Sequence, residues 1–188
     1  MKDKKERNME TIIGNKVILR RQVIEDAKFF DYWFNQPEIM FQCGISKKTS
    51  LEREQEALLN RLNDKTRDWY TITDREGRII GETGLLRIWK DWHCSDLTII
   101  IPDKENQGKG YGKEALHLLL HKAFTFHCLN RIAIGVVEKN LNAVKFYEKN
   151  GFIKEGIQEE GYYYNGEYLN FVMMRLLRKE WLQKENRR

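Results

Sequence analysis

Apolar residues in this chain fall in short runs bounded by Gly, Asn and Asp, interleaved with four stretches at helical spacing. The first β-type run spans residues 16–20. A helix is expected over 25–34, with Pro37 marking its end, because the residue before a proline is steered away from helical geometry. Residues 35–68 read as a loop holding Gly44, then a helix opened by the capping-box pattern Thr49, Ser50, Leu51, Glu52 and running to about Asn63. An antiparallel meander follows: 69–73, a turn at 74–77, 78–89, a polar loop through Trp92 and His93, then 96–101. Beyond it lie a helical pattern to Phe126, a strand over 131–137, a helix through Tyr147, and from Phe152 onward a hairpin in which Asn165 and Gly166 join 161–164 to 168–177. No internal repeat or low-complexity linker interrupts this order. At 188 residues the chain is long enough for one well-buried core, and one domain is the default.

The segment that carries chemistry starts at the apolar run Leu97, Thr98, Ile99, Ile100, Ile101. A polar turn over 102–106 follows, then Gln107, Gly108, Lys109, Gly110, Tyr111, Gly112 and Lys113 at the opening of a helix. Glycines at every second position before a helix present bare backbone N–H groups at its N-terminus, which is an anion site. The dinucleotide fingerprint G-x-G-x-x-G needs another phase of glycines, and the Walker loop needs a Gly-Lys-Ser/Thr triplet that the chain lacks.

What remains, Gln107-x-x-Gly110-x-Gly112, resembles the pyrophosphate loop of the GNAT superfamily of CoA-dependent N-acyltransferases. A second motif about thirty residues on, Asn140-x-x-Ala143-x-x-x-Tyr147-x-x-x-Gly151-Phe152, resembles that superfamily's later helix. In physical terms Asn140 is a good N-cap, Ala143, Val144 and Tyr147 share a face, and Gly151 is a natural left-handed terminator. The resemblance covers about 17–177. It implies an α/β (α+β) fold with a mixed, mostly antiparallel central sheet and helices on both faces, as domain 11–180 between a disordered tail at 1–10 and a basic tail at 181–188.

By the same resemblance the activity is transfer of an acetyl group from acetyl-CoA to a primary amine, by direct attack in a ternary complex. Backbone groups of residues 108–113, with Gln107, would hold the pyrophosphate, and those of Ile99, Ile100 and Ile101 the pantetheine arm. Asn140, Ala143 and Tyr147 would contact the cofactor. The Tyr147 phenol, protonated at neutral pH, would protonate the departing thiolate or hydrogen-bond its sulfur. A general base must collect the amine's proton. Asp96 stands near the position where many relatives carry an acid, with Glu82 as its competitor.

Leu19, Arg20, Arg21 and Asp26, together with residues 35–68, resemble the ribosomal-protein-alanine N-acetyltransferase-like branch, which makes a protein N-terminus or a small amine the expected acceptor. The alternative is a polyamine such as spermidine or spermine, which calls for acidic side chains at the acceptor pocket. Residues 41–50 hold no Asp or Glu, while Glu52, Glu54 and Glu56 follow. An alternative of another class is a CoA-sensing or nucleic-acid-binding module without turnover.

The net charge of +5 changes this picture little. Residues 1–8 hold four Lys/Arg against two Asp/Glu, residues 178–188 five against two, and the body between them 24 of each sign. Basic tails on a neutral body are not a nucleic-acid footprint. Cys43, Cys94 and Cys128 are odd in number and form no C-x-x-C pair, which argues against a disulfide framework or a zinc site and for a reducing cytoplasm. No apolar run approaches membrane-spanning length, and no signal peptide is expected. His117 and His121 stand four apart beside Glu114 without an H-E-x-x-H pattern, so a solvated helix face is expected rather than a metal. His93 could border the acceptor site. Tyr162, Tyr163, Tyr164, Tyr168 and Phe171 alternate across the hairpin, so half of them are expected in the core, with a pocket wall or a homodimer contact as the other use.

Overall fold

The computed structural model describes residues 11–186. Eight strands form one sheet: β1 (Ile12–Ile13), β2 (Val17–Arg21), β3 (Asp68–Asp74), β4 (Ile79–Leu85), β5 (Cys94–Ile100), β6 (Arg131–Val137), β7 (Ile153–Tyr164) and β8 (Glu167–Leu177). Their spatial order is β1-β2-β3-β4-β5-β6-β8-β7. Every pairing is antiparallel except β5 with β6. That parallel pair requires a crossover, supplied by helix α4 (Tyr111–His121) and its continuation in a π-helical turn over Lys122–Phe126.

Alternation assigns the two faces of the sheet. Tyr70 and Ile72 of β3 join Val17, Leu19 and Ile132 under the α4 side chains Ala115, Leu116, Leu119 and Leu120, which share one helical face. Trp69 and Thr71 point the other way, toward α1 (Ala27–Phe34), α2 (Pro37–Cys43) and α3 (Leu51–Asn63). Those three helices bury Phe30, Trp33, Phe34, Ile39 and Leu58 together. Helix α5 (Leu141–Lys149) and helix α6 (Arg178–Glu185) complete the fold.

Several expectations need correction. Pro37 does not merely end a helix; it opens α2, where its fixed φ suits the first helical position, and Gly44 closes that helix at φ 70°. The N-cap of α3 is Ser50, which accepts from the Arg53 amide, rather than Thr49. The strand expected over 78–89 ends at Leu85, whereas β7 begins at Ile153, at the expected start of the hairpin. The segment 181–188 is not a tail where it is described. Trp181 is 5 % exposed and packs 5.3 Å from the ring of Phe124. This docking lies against the histidine face of α4: His121 meets Trp181 edge-on while remaining exposed, and the half-buried His117 lies 3.6 Å from Glu185, so that face is partly covered and partly in solvent. The tail expected over 1–10 lies outside the described residues. Among the described residues no helix is long and apolar enough to cross a membrane.

Candidate active site

The parallel pair β5–β6 holds for only three residues, Cys94 with Arg131, Ser95 with Ile132 and Asp96 with Ala133. Beyond that the strands separate, β5 running on to Ile100 and β6 to Val137, and among the described residues a cavity of about 840 Å³ lies between them. The far edge of β5 is held by β4, and the Thr83 hydroxyl donates to the Thr98 carbonyl at 2.7 Å. An antiparallel partner satisfies alternate residues only, so every second N–H and C=O of residues 97–100 faces the cavity. Such groups demand partners, and an extended amide-bearing chain would supply them. Gly81 lets β4 come close here: a Cβ on it would stand 2.1 Å from the Ile100 carbonyl oxygen.

The glycine loop caps one end of this gap. After a short turn over Lys104–Asn106, Gln107 donates from Nε2 to the Ile101 carbonyl at 2.9 Å, tying the loop to the end of β5. Gly110 is the N-cap of α4 at φ 88°, a left-handed conformation that glycine adopts without strain. The amides of Tyr111, Gly112 and Lys113 then have no acceptor within the helix. Sequence reasoning missed the cation beside them. Lys16 donates from Nζ to the Lys109 carbonyl at 2.9 Å, reaching over Gly110. It is delivered there by Glu114, whose carboxylate accepts from the backbone amides of Asn15, Lys16 and Val17 at 2.9, 2.6 and 2.8 Å. Unpaired amides at the start of an eleven-residue helix with a lysine alongside suit a pyrophosphate.

The opposite wall comes from α5. Asn140 caps it, its Oδ1 accepting from the Ala143 amide at 3.1 Å. Tyr147, 4 % exposed, sits between Phe146 and Phe152 with ring centroids 5.2 and 5.3 Å away, and lines the cavity. Burial, with a smaller contribution from Cys43, holds its pKa far above the ordinary phenol value, so the hydroxyl remains a donor.

The structure thus brings Asp96, Ile99, Ile100, Ile101, Gln107, Gly108, Gly110, Gly112, Lys113, Asn140, Ala143 and Tyr147 to one cavity. Lys109 and Tyr111 do not line it; Tyr111 packs on the core instead. His93, His117 and His121 stand away from it as well.

The two carboxylates behave differently from free bases. Asp96 reaches the cavity but is bound by the Arg87 guanidinium, with Nε at 3.0 Å. Glu82 is 3 % exposed and sits behind the lining, its Oε2 accepting from Gln22 Nε2 at 2.9 Å and Trp69 Nε1 at 3.0 Å. Burial pushes its pKa up against the opposing charge of Arg61. Cys43, on the cavity wall, feels the same environment, its thiol pushed up to about 12 by burial and by Glu82.

The remaining wall is made of Ile39, Gln42 and Cys43 from α2 facing Gln158, Phe171 and Met173 from the β7–β8 hairpin. The hairpin aromatics divide as alternation requires. Tyr162 and Tyr164 turn to α2, donating toward the carbonyls of Met40 and Pro37 at 3.4 and 3.3 Å, while Tyr163 and Tyr168 pack on each other in solvent. The resemblance implies that residues 35–68 help wall the acceptor site, and a pocket wall is one expected use of Phe171, but the sequence pattern reads α2 as a loop.

Comparison with known proteins agrees with this geometry. The family model described as "Acetyltransferase (GNAT) domain" matches residues 16–153. The spermidine N(1)-acetyltransferase of Vibrio cholerae is 29% identical over 132 residues, 70% of this chain and 69% of that protein. An uncharacterized N-acetyltransferase, p20 of Bacillus licheniformis, is 24% identical and covers 92% of this chain and 99% of its own. The crystal structure of the Vibrio cholerae spermidine N-acetyltransferase with CoA and spermine superposes with a TM-score of 0.84 at 27% identity, over 90% of this chain and 99% of that one. A family model spanning most of the chain, on a sheet that splays beside a glycine-capped helix, makes this protein a member of the GNAT family of N-acetyltransferases.

Proposed function

We propose that this enzyme transfers an acetyl group from acetyl-CoA to a primary amine of a polyamine. The observation that carries the transfer is the splay of β5 from β6, which leaves a strand-length gap between the glycine loop and Tyr147. The amides of residues 111–113 and Lys16 hold the pyrophosphate, and the free edge of β5 takes the amide-bearing arm. That places the thioester beside the Tyr147 hydroxyl.

The neutral amine attacks the thioester carbonyl carbon, the C–N bond forms and the C–S bond breaks. The electron pair leaves on sulfur, and the amine's proton passes to water in the cavity near Asp96. A thiol has a reference pKa of about 8.5, well below that of a phenol buried like Tyr147, so complete proton transfer from Tyr147 to sulfur is uphill. Tyr147 acts by hydrogen-bonding the thiolate as its charge develops.

The polyamine acceptor is supported by the relatives, whose names and crystal ligand carry spermidine and spermine. It is supported also by Glu54, which alone of Glu52, Glu54 and Glu56 is buried and stands within electrostatic reach of Glu82. A protein N-terminus, the acceptor of the ribosomal-protein branch, is the second reading. It is favoured by cavity walls whose one carboxylate, Asp96, is already paired. Thiol release from acetyl-CoA, followed with a thiol-reactive dye against spermidine, spermine, aminoglycosides, amino acids and peptides with free N-termini, separates the two. Turnover on polyamines alone supports the first reading, and turnover on peptides alone overturns it.

A further inference from the structure

The β7–β8 hairpin is irregular where it borders the cavity. Gln158 pairs with Phe171 and Tyr162 with Leu169, so Glu159, Glu160 and Gly161 of β7 stand against the single Asn170 of β8. A bulge of this kind re-aims the side chains around it. This one is fastened: Asn170 Oδ1 accepts from the Glu160 amide at 2.8 Å, and Asn170 Nδ2 donates to Glu138 Oε2 at 3.0 Å. Glu160 is held there at φ 50°, in the left-handed region that residues with a Cβ rarely adopt.

The bulge sets the aim of Gln158. As the cross-strand partner of Phe171 it faces the same side of the sheet, toward α2, and both line the cavity across from Tyr147. Its side chain lies over Gly161: a Cβ there would stand 3.1 Å from both Cγ and Cδ of Gln158 and 3.0 Å from the Phe171 ring. The carboxamide is also uncommitted. It makes no hydrogen bond among the described residues, whereas Gln42 on the facing helix donates to Glu38 Oε1 at 3.3 Å and Asp96 is taken by Arg87. A carboxamide and a carboxylate act differently on an amine. A carboxylate favours the ammonium form, which has no lone pair and cannot attack; a neutral oxygen accepts an N–H with far less bias toward the charged form.

We infer that Gln158 positions the nucleophile: its Oε1 accepts an N–H from the neutral acceptor amine and leaves the nitrogen lone pair free for the thioester carbon. Gly161 is the residue that makes room for this pose. The inference rests on transfer to an amine as proposed above, and it holds for a polyamine and for a peptide N-terminus alike.

The test is thiol release from acetyl-CoA by the full-length protein, with spermidine and, in parallel, the tripeptide Ala-Ala-Ala as acceptors, and CoA affinity measured by calorimetry. Gln158→Leu, a change at an exposed position, should lower kcat/KM for the acceptor about 3- to 10-fold, the value of one hydrogen bond, and leave CoA affinity unchanged. Gln158→Glu should lower KM for the amine while moving the rising limb of the kcat–pH profile up by about one pH unit, because the carboxylate holds the bound amine as ammonium. A merely structural role for Gln158 would not move that limb. Gly161→Ala, which displaces the Gln158 side chain, should lower kcat/KM about two- to fivefold. A kcat/KM within about twofold of wild type in Gln158→Leu, or an unmoved limb in Gln158→Glu, overturns the inference. Turnover of Ala-Ala-Ala without spermidine overturns the polyamine reading alone, and the variants are then read on the peptide; turnover of neither by the wild type overturns both.

Discussion

Tyr147→Phe removes one hydroxyl from the middle of the acyl-transfer cavity. The phenol makes no hydrogen bond among the described residues, and its ring is fixed by Phe146 and Phe152. The fold should therefore change by no more than about 0.5 kcal/mol. If the hydroxyl stabilises a thiolate that appears only as the C–S bond breaks, its loss costs about 1.5–3 kcal/mol of transition-state binding, or roughly 10- to 150-fold in kcat, with little change in acetyl-CoA affinity. Because burial raises the phenol's pKa, its ionisation contributes no alkaline limb to the rate profile below about pH 10. Stability follows the same sign. Above about pH 10 unfolded tyrosines ionise while buried Tyr147 does not, so the folded state loses stability as pH rises there. Thiol release at saturating amine, with CoA affinity measured separately by calorimetry, reads both parameters. A kcat within about twofold of wild type would remove the hydroxyl from the mechanism.

Gly110→Val puts a β-branched residue at φ 88° in the cap of α4, a strain of about 1–3 kcal/mol, and should abolish CoA binding in calorimetry; normal binding would refute the loop assignment. Lys16→Gln should weaken CoA about two- to fivefold and flatten the salt dependence of binding, since it removes an exposed cation beside the helix N-terminus. Trp181→Ala should cost about 3–5 kcal/mol by opening a hole against Phe124, visible in denaturant unfolding; a change under about 1 kcal/mol would mean the last helix is not part of the core. Glu82→Gln should raise the melting temperature at pH 7. The raised pKa of Glu82 means the folded state resists its ionisation, a penalty present at neutral pH and lost as pH falls through the folded value toward the ordinary 4.5. The advantage of the variant should shrink on acidification, and a lower melting temperature at pH 7 would show that Arg61, Gln22 and Trp69 more than offset burial.

The legible part of this protein is the part whose causes are local. The run at 97–101, its turn and the glycines of 108–112 specify strand, loop and helix opening within some fifteen residues, and Asn140 and Gly151 bracket α5 in the same way. What the sequence hides is whatever depends on residues distant in the chain. Lys16 reaches the glycine loop only because Glu114, 98 residues later, pins its backbone, and neither side chain carries a mark of the other. Pro37 is ambiguous by its nature, as compatible with opening a helix as with ending one, and tertiary burial of Ile39 and Met40 decides the outcome. Five of the eight residues of the last helix are charged, so its docking rests on Trp181 finding Phe124. Asp96 and Glu82 make the same point about chemistry. An acid in the right strand becomes a base only if nothing claims its charge, and here Arg87 claims one while burial claims the other. The glycine loop needs only backbone and is readable from residue types; the base needs an environment, which the fold assembles from β2, β4 and α3 at once.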